Sequence, residues 1–240
     1  MDAGKSNPTL KQLVKLNYIN DHREMNSFYY LGGTLIILGV IIYVVWLIEK
    51  KRTKELCSIA ATLKLNFSHN DNSALFERMN KLHLFSIGRS KKIKNLMEGE
   101  ASNAELAIFD YQYTTGGGQS SHTYRHSVFC IWSPKLDLPQ FSMRPEGIFH
   151  KIGGAFGYQD IDFDSHPEFS KKYLLRGDNE TSIRQLFSKK IINKIESQQK
   201  ISIEGGGNQL AFYKKRVKPE EIEKFMEEGF HFFKLFLEVT

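Results

Sequence analysis

The hydrophobic pattern sets one long unbroken apolar run against a much longer stretch of short segments with alternating or helical spacing. Residues 28–48 (FYYLGGTLIILGVIIYVVWLI) carry no charged side chain. At about 1.5 Å of rise per residue, a helix of this length covers roughly 30 Å, the thickness of a bilayer's hydrocarbon core. Aromatic rings stand at both rims, Phe28, Tyr29 and Tyr30 at one end and Tyr43 and Trp46 at the other. Amphipathic rings favour the headgroup level. Buried core helices seldom run past about 14 apolar residues, so the run predicts a transmembrane helix.

The flanks predict its fate and direction. Residues 1–27 are of mixed charge, the run exceeds a typical signal-peptide core, and no small-x-small cleavage site follows it, so the segment reads as a retained anchor. Positions 18–27 carry only Arg23, whereas positions 49–58 carry Lys50, Lys51, Arg52 and Lys54. The positive-inside rule then puts the N-terminus outside and residues 49–240 in the cytoplasm. A wider window adds Lys11 and Lys15 on one side and Lys64 on the other, which narrows the bias without reversing it. Within the span, Gly32, Gly33 and Gly39 offer a small-residue side for helix packing, with Gly32 and Gly39 seven positions apart. No GxxxG spacing is present, so another membrane protein fits that side as well as a second copy of this chain.

Before the span, Asn7-Pro8-Thr9 reads as a helix start, with Leu10, Leu13, Val14 and Leu16 following; either a short amphipathic helix ending near Asn20 or a frayed tail satisfies this segment. After the span, residues 53–65 continue with helical spacing (Leu56, Ile59, Ala60, Leu63), and residues 74–79 predict a short helix. Strand patterns follow at 82–87, 94–99, 104–114 and 123–132, the last pair joined by a glycine-rich hairpin tip. A short helix is expected at 147–152 and a strand at 173–176. One helix is expected over 181–196, a hairpin over 201–213, and a helix opened by Pro219 with Ile222, Phe225, Met226, Phe233 and Phe236 on its apolar side. Long hairpins without regular βαβ alternation predict an α+β fold: a single transmembrane helix, then a largely antiparallel sheet with helices covering one face.

Composition adds little. Thirty-three Lys and Arg against 27 Asp and Glu give a net charge of +6. That excess is scattered and does not suggest nucleic-acid binding. Cys57 and Cys130 lack CxxC spacing and read as reduced, packed thiols.

The chemistry-bearing residues form no complete motif. Asp160, Asp162 and Asp164, followed by His166, resemble the start of a calcium loop. Ser165 stands where that loop needs glycine, and Lys171 where it needs a bidentate Glu. On an extended strand the three carboxylates would share one side, with Ile161 and Phe163 facing the core. His122 and His126 share a strand side with Tyr124, opposite Tyr111 and Tyr113, and a metal there would need a further ligand. The glycine triplets 116–118 and 205–207 each join two strands and match no phosphate loop. The basic runs at 89–94 and 214–218 fall at predicted turns and read as solvated charges, with an anionic leaflet as the alternative contact. No cofactor is implied.

One resemblance is carried by named residues. Phe109-Asp110-Tyr111-x-Tyr113-Thr114-Thr115-Gly116, Arg144-Pro145-Glu146, Gln159-Asp160-Ile161-x-Phe163, His166-Pro167-x-Phe169-Ser170, Leu175-x-Gly177-Asp178 and Ile183-Arg184-x-Leu186-Phe187 resemble uncharacterised membrane-anchored bacterial proteins. The order from residue 166 onward is also similar to the C-terminal half of a broader domain-of-unknown-function family, which carries an acidic residue where this chain has His166. The resemblance implies a bacterial inner-membrane location and brings no activity, cofactor or catalytic residue. The sequence thus predicts a non-enzymatic single-pass protein whose cytoplasmic domain is a binding or accessory module for a membrane complex or the inner leaflet. A membrane-tethered, metal-assisted hydrolase using the 160–166 or 122/126 side chains is the alternative.

Overall fold

The computed structural model describes residues 10–69, 73–101, 103–146 and 160–239. The chain divides into two compact units, Met1–Arg52 and Thr53–Thr240.

A single helix, α1, runs over Leu10–Thr62 and so crosses the unit boundary in sequence. The helix end expected near Asn20 is absent. Residues 10–31 contain neither glycine nor proline, so nothing there interrupts the backbone ladder. In the first unit, no large apolar side chain between Tyr30 and Ile48 is less than 43% exposed. This helix is long and apolar enough to cross a membrane, and none of that stretch is buried. A core helix is therefore the wrong description, since each such side chain gains about 1.5–3 kcal/mol only when it leaves water.

In the second unit, Leu56 and Ala60 on the last turns of α1 are fully buried. Lys64 takes a left-handed conformation and the Leu65 N–H bonds the Ala60 carbonyl at 2.8 Å, which closes the helix. The strands are β1 (Asn66–Ser68), β2 (Arg89–Ala101), β3 (Ala104–Thr115), β4 (His122–Trp132), β5 (Leu138–Pro145), β6 (Tyr173–Gly177), β7 (Ser202–Gly207) and β8 (Gln209–Lys215). They form one eight-stranded sheet in the order β1-β2-β3-β4-β8-β7-β5-β6, with every pair antiparallel. Period-two alternation sends Ile108, Phe129, Ile131 and Phe212 to one face and Phe109, Val128, Cys130 and Tyr213 to the other.

The larger core lies on the first face, beneath α4 (Pro167–Lys172), α5 (Glu180–Leu186), α6 (Lys189–Glu196) and α7 (Ile222–Leu237). α7 buries Ile222, Phe225, Phe232, Phe233, Leu235 and Phe236. It crosses β4 so closely that a Cβ on Gly229 would fall 2.5 Å from the Phe129 ring. The opposite face carries a smaller core under α2 (Ser73–Arg78) and α3 (His83–Ser86), built on Leu75, Met79, Leu84 and Phe85. The fold is α+β.

Several elements differ from expectation. Where a strand is expected over 82–87, His83–Ser86 form the short helix α3, because His83, Leu84 and Phe85 are all buried and alternation would expose one of them. The expected helix over 181–196 is two, broken where Ser188 turns extended (φ −58°, ψ 159°). Residues 160–163 are not a strand. β5, an interior strand holding Pro139 and Pro145, and the Pro-led helix α4 were not legible in the pattern. Pro139 is tolerated because it falls in a register shift between Leu138 and Phe141, and Pro145 is the strand's last residue. Cys57 is exposed rather than packed, while Cys130 is buried. The expected helix at 147–152 lies outside the described residues.

Candidate functional site

The face under α3 concentrates the buried polar chemistry. Glu204 on β7 is fully buried, and its carboxylate gathers four groups. Tyr213 Oη donates to Oε1 at 2.6 Å, Arg144 Nη2 lies 3.2 Å from the same oxygen, Ser142 Oγ donates at 3.4 Å, and the Leu84 N–H donates to Oε2 at 3.0 Å. Register explains the gathering: Glu204 pairs with Ser142 across β5 and β7, and α3 lies over the pair. A buried ion pair of this kind is costly to break, about 3–5 kcal/mol, because the surviving charge stays buried and uncompensated. Burial and the neighbouring carboxylate hold the Tyr213 phenol well above its ordinary range, so it serves as a donor.

Beside this network runs a row of rings. Phe85 lies 4.6 Å from Tyr111, Tyr111 5.7 Å from Tyr113, and Tyr113 stacks on Tyr124 at 5.2 Å and on His126 at 5.8 Å, with Tyr213 edge-on to His126 at 5.5 Å. His126 is buried, and among the described residues neither ring nitrogen meets a partner in full hydrogen-bond geometry. Burial lowers its pKa to about 4, against weaker opposing pulls from the Lys214 backbone and Glu204. The Cys130 thiol, 3.4 Å from Met79 Sδ, is pushed upward chiefly by burial and stays protonated, as an unreactive packed thiol does.

The sequence-derived candidates fall in separate places. Asp160, Asp162 and Asp164 are exposed on an irregular segment, while Ile161 is buried and Phe163 half-buried, so the inward–outward alternation is present without a strand. Partial burial, then Asp162, raises the Asp160 carboxyl above its usual range. His166 precedes α4 and shares a hydrogen bond with Ser165 Oγ at 2.9 Å. Arg184 donates to the Asp162 carbonyl at 2.6 Å and pairs with the Glu180 carboxylate at 2.7 Å, so it holds the backbone of the acidic segment and none of its three Asp side chains. His122 is exposed and edge-on to Tyr124 (4.9 Å), and His126 is enclosed by the rings. Among the described residues, no three His, Cys, Asp or Glu side chains converge at metal-ligand range. The network missed by sequence reading is Glu204, Arg144 and Tyr213. The alternation Ile201-Ser202-Ile203-Glu204 reads as a strand with Ser202 and Glu204 facing solvent, so the sequence gives no signal that this carboxylate is buried.

In the first unit, Tyr43 and Trp46 stack at 6.0 Å and Lys50 Nζ lies 4.8 Å above the Trp46 ring. An aromatic pair topped by a cation at the end of an apolar run is a membrane-rim arrangement. A Cβ placed on Gly32, Gly33 or Gly39 would meet nothing within 4 Å, so that side is open.

No family model matches the chain, and no curated protein matches it, in keeping with the resemblance to an uncharacterised family. Among solved structures, the crystal structure of the mycobacterial trehalose monomycolate transport factor A, TtfA, is similar in fold. The TM-score is 0.56 at 10% identity, over 78% of this chain and 93% of that one. At that identity the likeness is one of fold.

Proposed function

We propose that the chain is a single-pass membrane protein that works as a non-enzymatic accessory module. The helix holds it in the inner membrane with residues 1–27 outside, and residues 49–240 form a cytoplasmic domain that binds another membrane protein or the inner leaflet. The observation that carries this reading is the exposed apolar stretch of α1 from Tyr30 to Ile48 with its aromatic and basic rim, covalently continuous with a domain whose buried charges are consumed by internal bonding. The fold likeness to a protein named as a transport factor supports an accessory role over a catalytic one. The positive-inside bias supports the orientation.

Orientation is tested by cysteine accessibility in a chain lacking Cys57 and Cys130. A cysteine at Ser6 should react with a membrane-impermeant thiol reagent on intact spheroplasts. One at Asp178, exposed in the turn after β6, should react only after the membrane is opened. The reverse pattern would place the domain outside.

A further inference from the structure

The antiparallel register sorts the charges of the sheet by end. Lys94 pairs with Asp110, Asp110 with Ser127 and Ser127 with Lys214, so residues 89–95, 110–116, 121–127 and 213–218 lie at one end of β2, β3, β4 and β8. These four stretches hold nine Lys and Arg side chains and a single acid, Asp110. That acid is already engaged by Asn95 Nδ2 at 2.9 Å and Arg216 Nη2 at 3.2 Å. The far end of the same strands carries Glu98, Glu100 and Glu105 instead. Two basic runs that read separately as solvated turn charges are thus brought together on one end.

Four of these cations, Arg89, Lys92, Arg125 and Lys215, are exposed and pair with no carboxylate among the described residues. Two are held in place without being neutralised. Arg89 donates to the Gly116 carbonyl and, at 3.4 Å, to Ser121 Oγ, and Arg125 Nε donates to Gln112 at 3.1 Å. Positioned but uncompensated guanidinium groups suit bidentate phosphate contact.

The chain also enters the domain at this end. Thr53 Oγ1 donates to Asn95 Oδ1 at 2.9 Å. Four residues, Glu49, Lys50, Lys51 and Arg52, separate Thr53 from Ile48, the last residue of the uncharged run. Even fully extended, that connection reaches only roughly 18 Å, at up to about 3.6 Å per residue.

We propose that this basic end of the sheet is an electrostatic docking surface for the anionic phospholipid headgroups of the membrane that α1 enters. Arg89, Lys92, Arg125 and Lys215 are its free charges. The proposal rests on the membrane reading above and names the contact that the domain makes there. Each basic side chain near an anionic leaflet strengthens attachment roughly fivefold, and the attraction decays within a Debye length.

The test uses the full chain with Cys57→Ser and a donor dye on Gly117→Cys, at the exposed tip beyond Thr115 where a side chain meets nothing within 4 Å. It is reconstituted in nanodiscs carrying a headgroup-linked acceptor, either purely phosphatidylcholine or with roughly one-third phosphatidylglycerol. Energy transfer should be higher on the anionic discs and should fall to the zwitterionic value near 1 M NaCl, where the Debye length is about 3 Å. The quadruple variant Arg89→Gln, Lys92→Gln, Arg125→Gln, Lys215→Gln should give the zwitterionic value at all salt concentrations. The quadruple variant with Lys exchanged for Arg and Arg for Lys should behave as the parent. Equal transfer on both discs, or an unchanged Gln variant, would overturn the lipid assignment and leave this end to a protein partner. Failure of the chain to co-elute with either disc would overturn the membrane reading itself, a result separable from the first. A melting midpoint within a few degrees of the parent's is required of each variant, and the Lys/Arg exchange keeps the test decisive should the Gln variant not fold.

Discussion

His126 is the residue at which burial has the clearest measurable consequence. Its imidazole titrates near 6.5 when unfolded and at about 4 in the folded domain, so on acidification the unfolded state takes up the proton first. The stability associated with neutral His126 is therefore complete above about pH 6.5, declines as the pH falls toward 4, and changes no further below that. The gap corresponds to roughly 3 kcal/mol at about 1.4 kcal/mol per pH unit. Denaturant unfolding at pH 7 and pH 4 should show a smaller acid loss in His126→Phe than in the parent; the same loss in both would mean that His126 is not the group responsible. The sequence placed His126 correctly on an aromatic strand side with Tyr124, Tyr111 and Tyr113. The structure encloses its ring among Tyr113 and Tyr213. The Glu204 network was illegible because its members come from β5, β7, β8 and α3, and only three-dimensional register brings them within bonding distance.

At the scale of elements, α7 decides whether the sheet has a core. Its apolar side was legible at helical spacing, and Ile222, Phe225, Phe233 and Phe236 are buried as expected, with Phe232 and Leu235 beside them. A packed Phe cut to Ala typically costs about 3–5 kcal/mol, and a whole domain is stable by only about 5–15 kcal/mol. Residues 53–218, ending before this helix, should therefore show no cooperative thermal transition by circular dichroism. A sharp transition in that fragment would show that the phenylalanines are not its core and favour a docking role for them. The hairpins β3–β4 and β7–β8 were readable because local alternation and glycine turns specify them. β5 and α3 were not, because Pro139 and Pro145 suppress a strand reading, and because three consecutive buried residues in α3 follow no period. The broken helix over 181–196 is similar: its apolar spacing runs on through Phe187 while the backbone turns at Ser188.

For the whole molecule, one surface is out of place in water. A helix whose large apolar side chains from Tyr30 to Ile48 are all substantially exposed is unfavourable unless lipid or protein covers it. The domain over Thr53–Thr240, by contrast, encloses cores on both faces of its sheet. This division was the most legible feature of the sequence, because the length of an uncharged run is a local property that no tertiary contact revises. The direct measurement is extraction of the full chain from cell membranes by alkaline carbonate, with detergent as the comparison. The full-length protein should stay in the membrane pellet through carbonate and be released by detergent. Residues 53–240 expressed alone should be released from membranes by carbonate or high salt. Full-length protein released by carbonate would contradict an inserted helix and the function built on it.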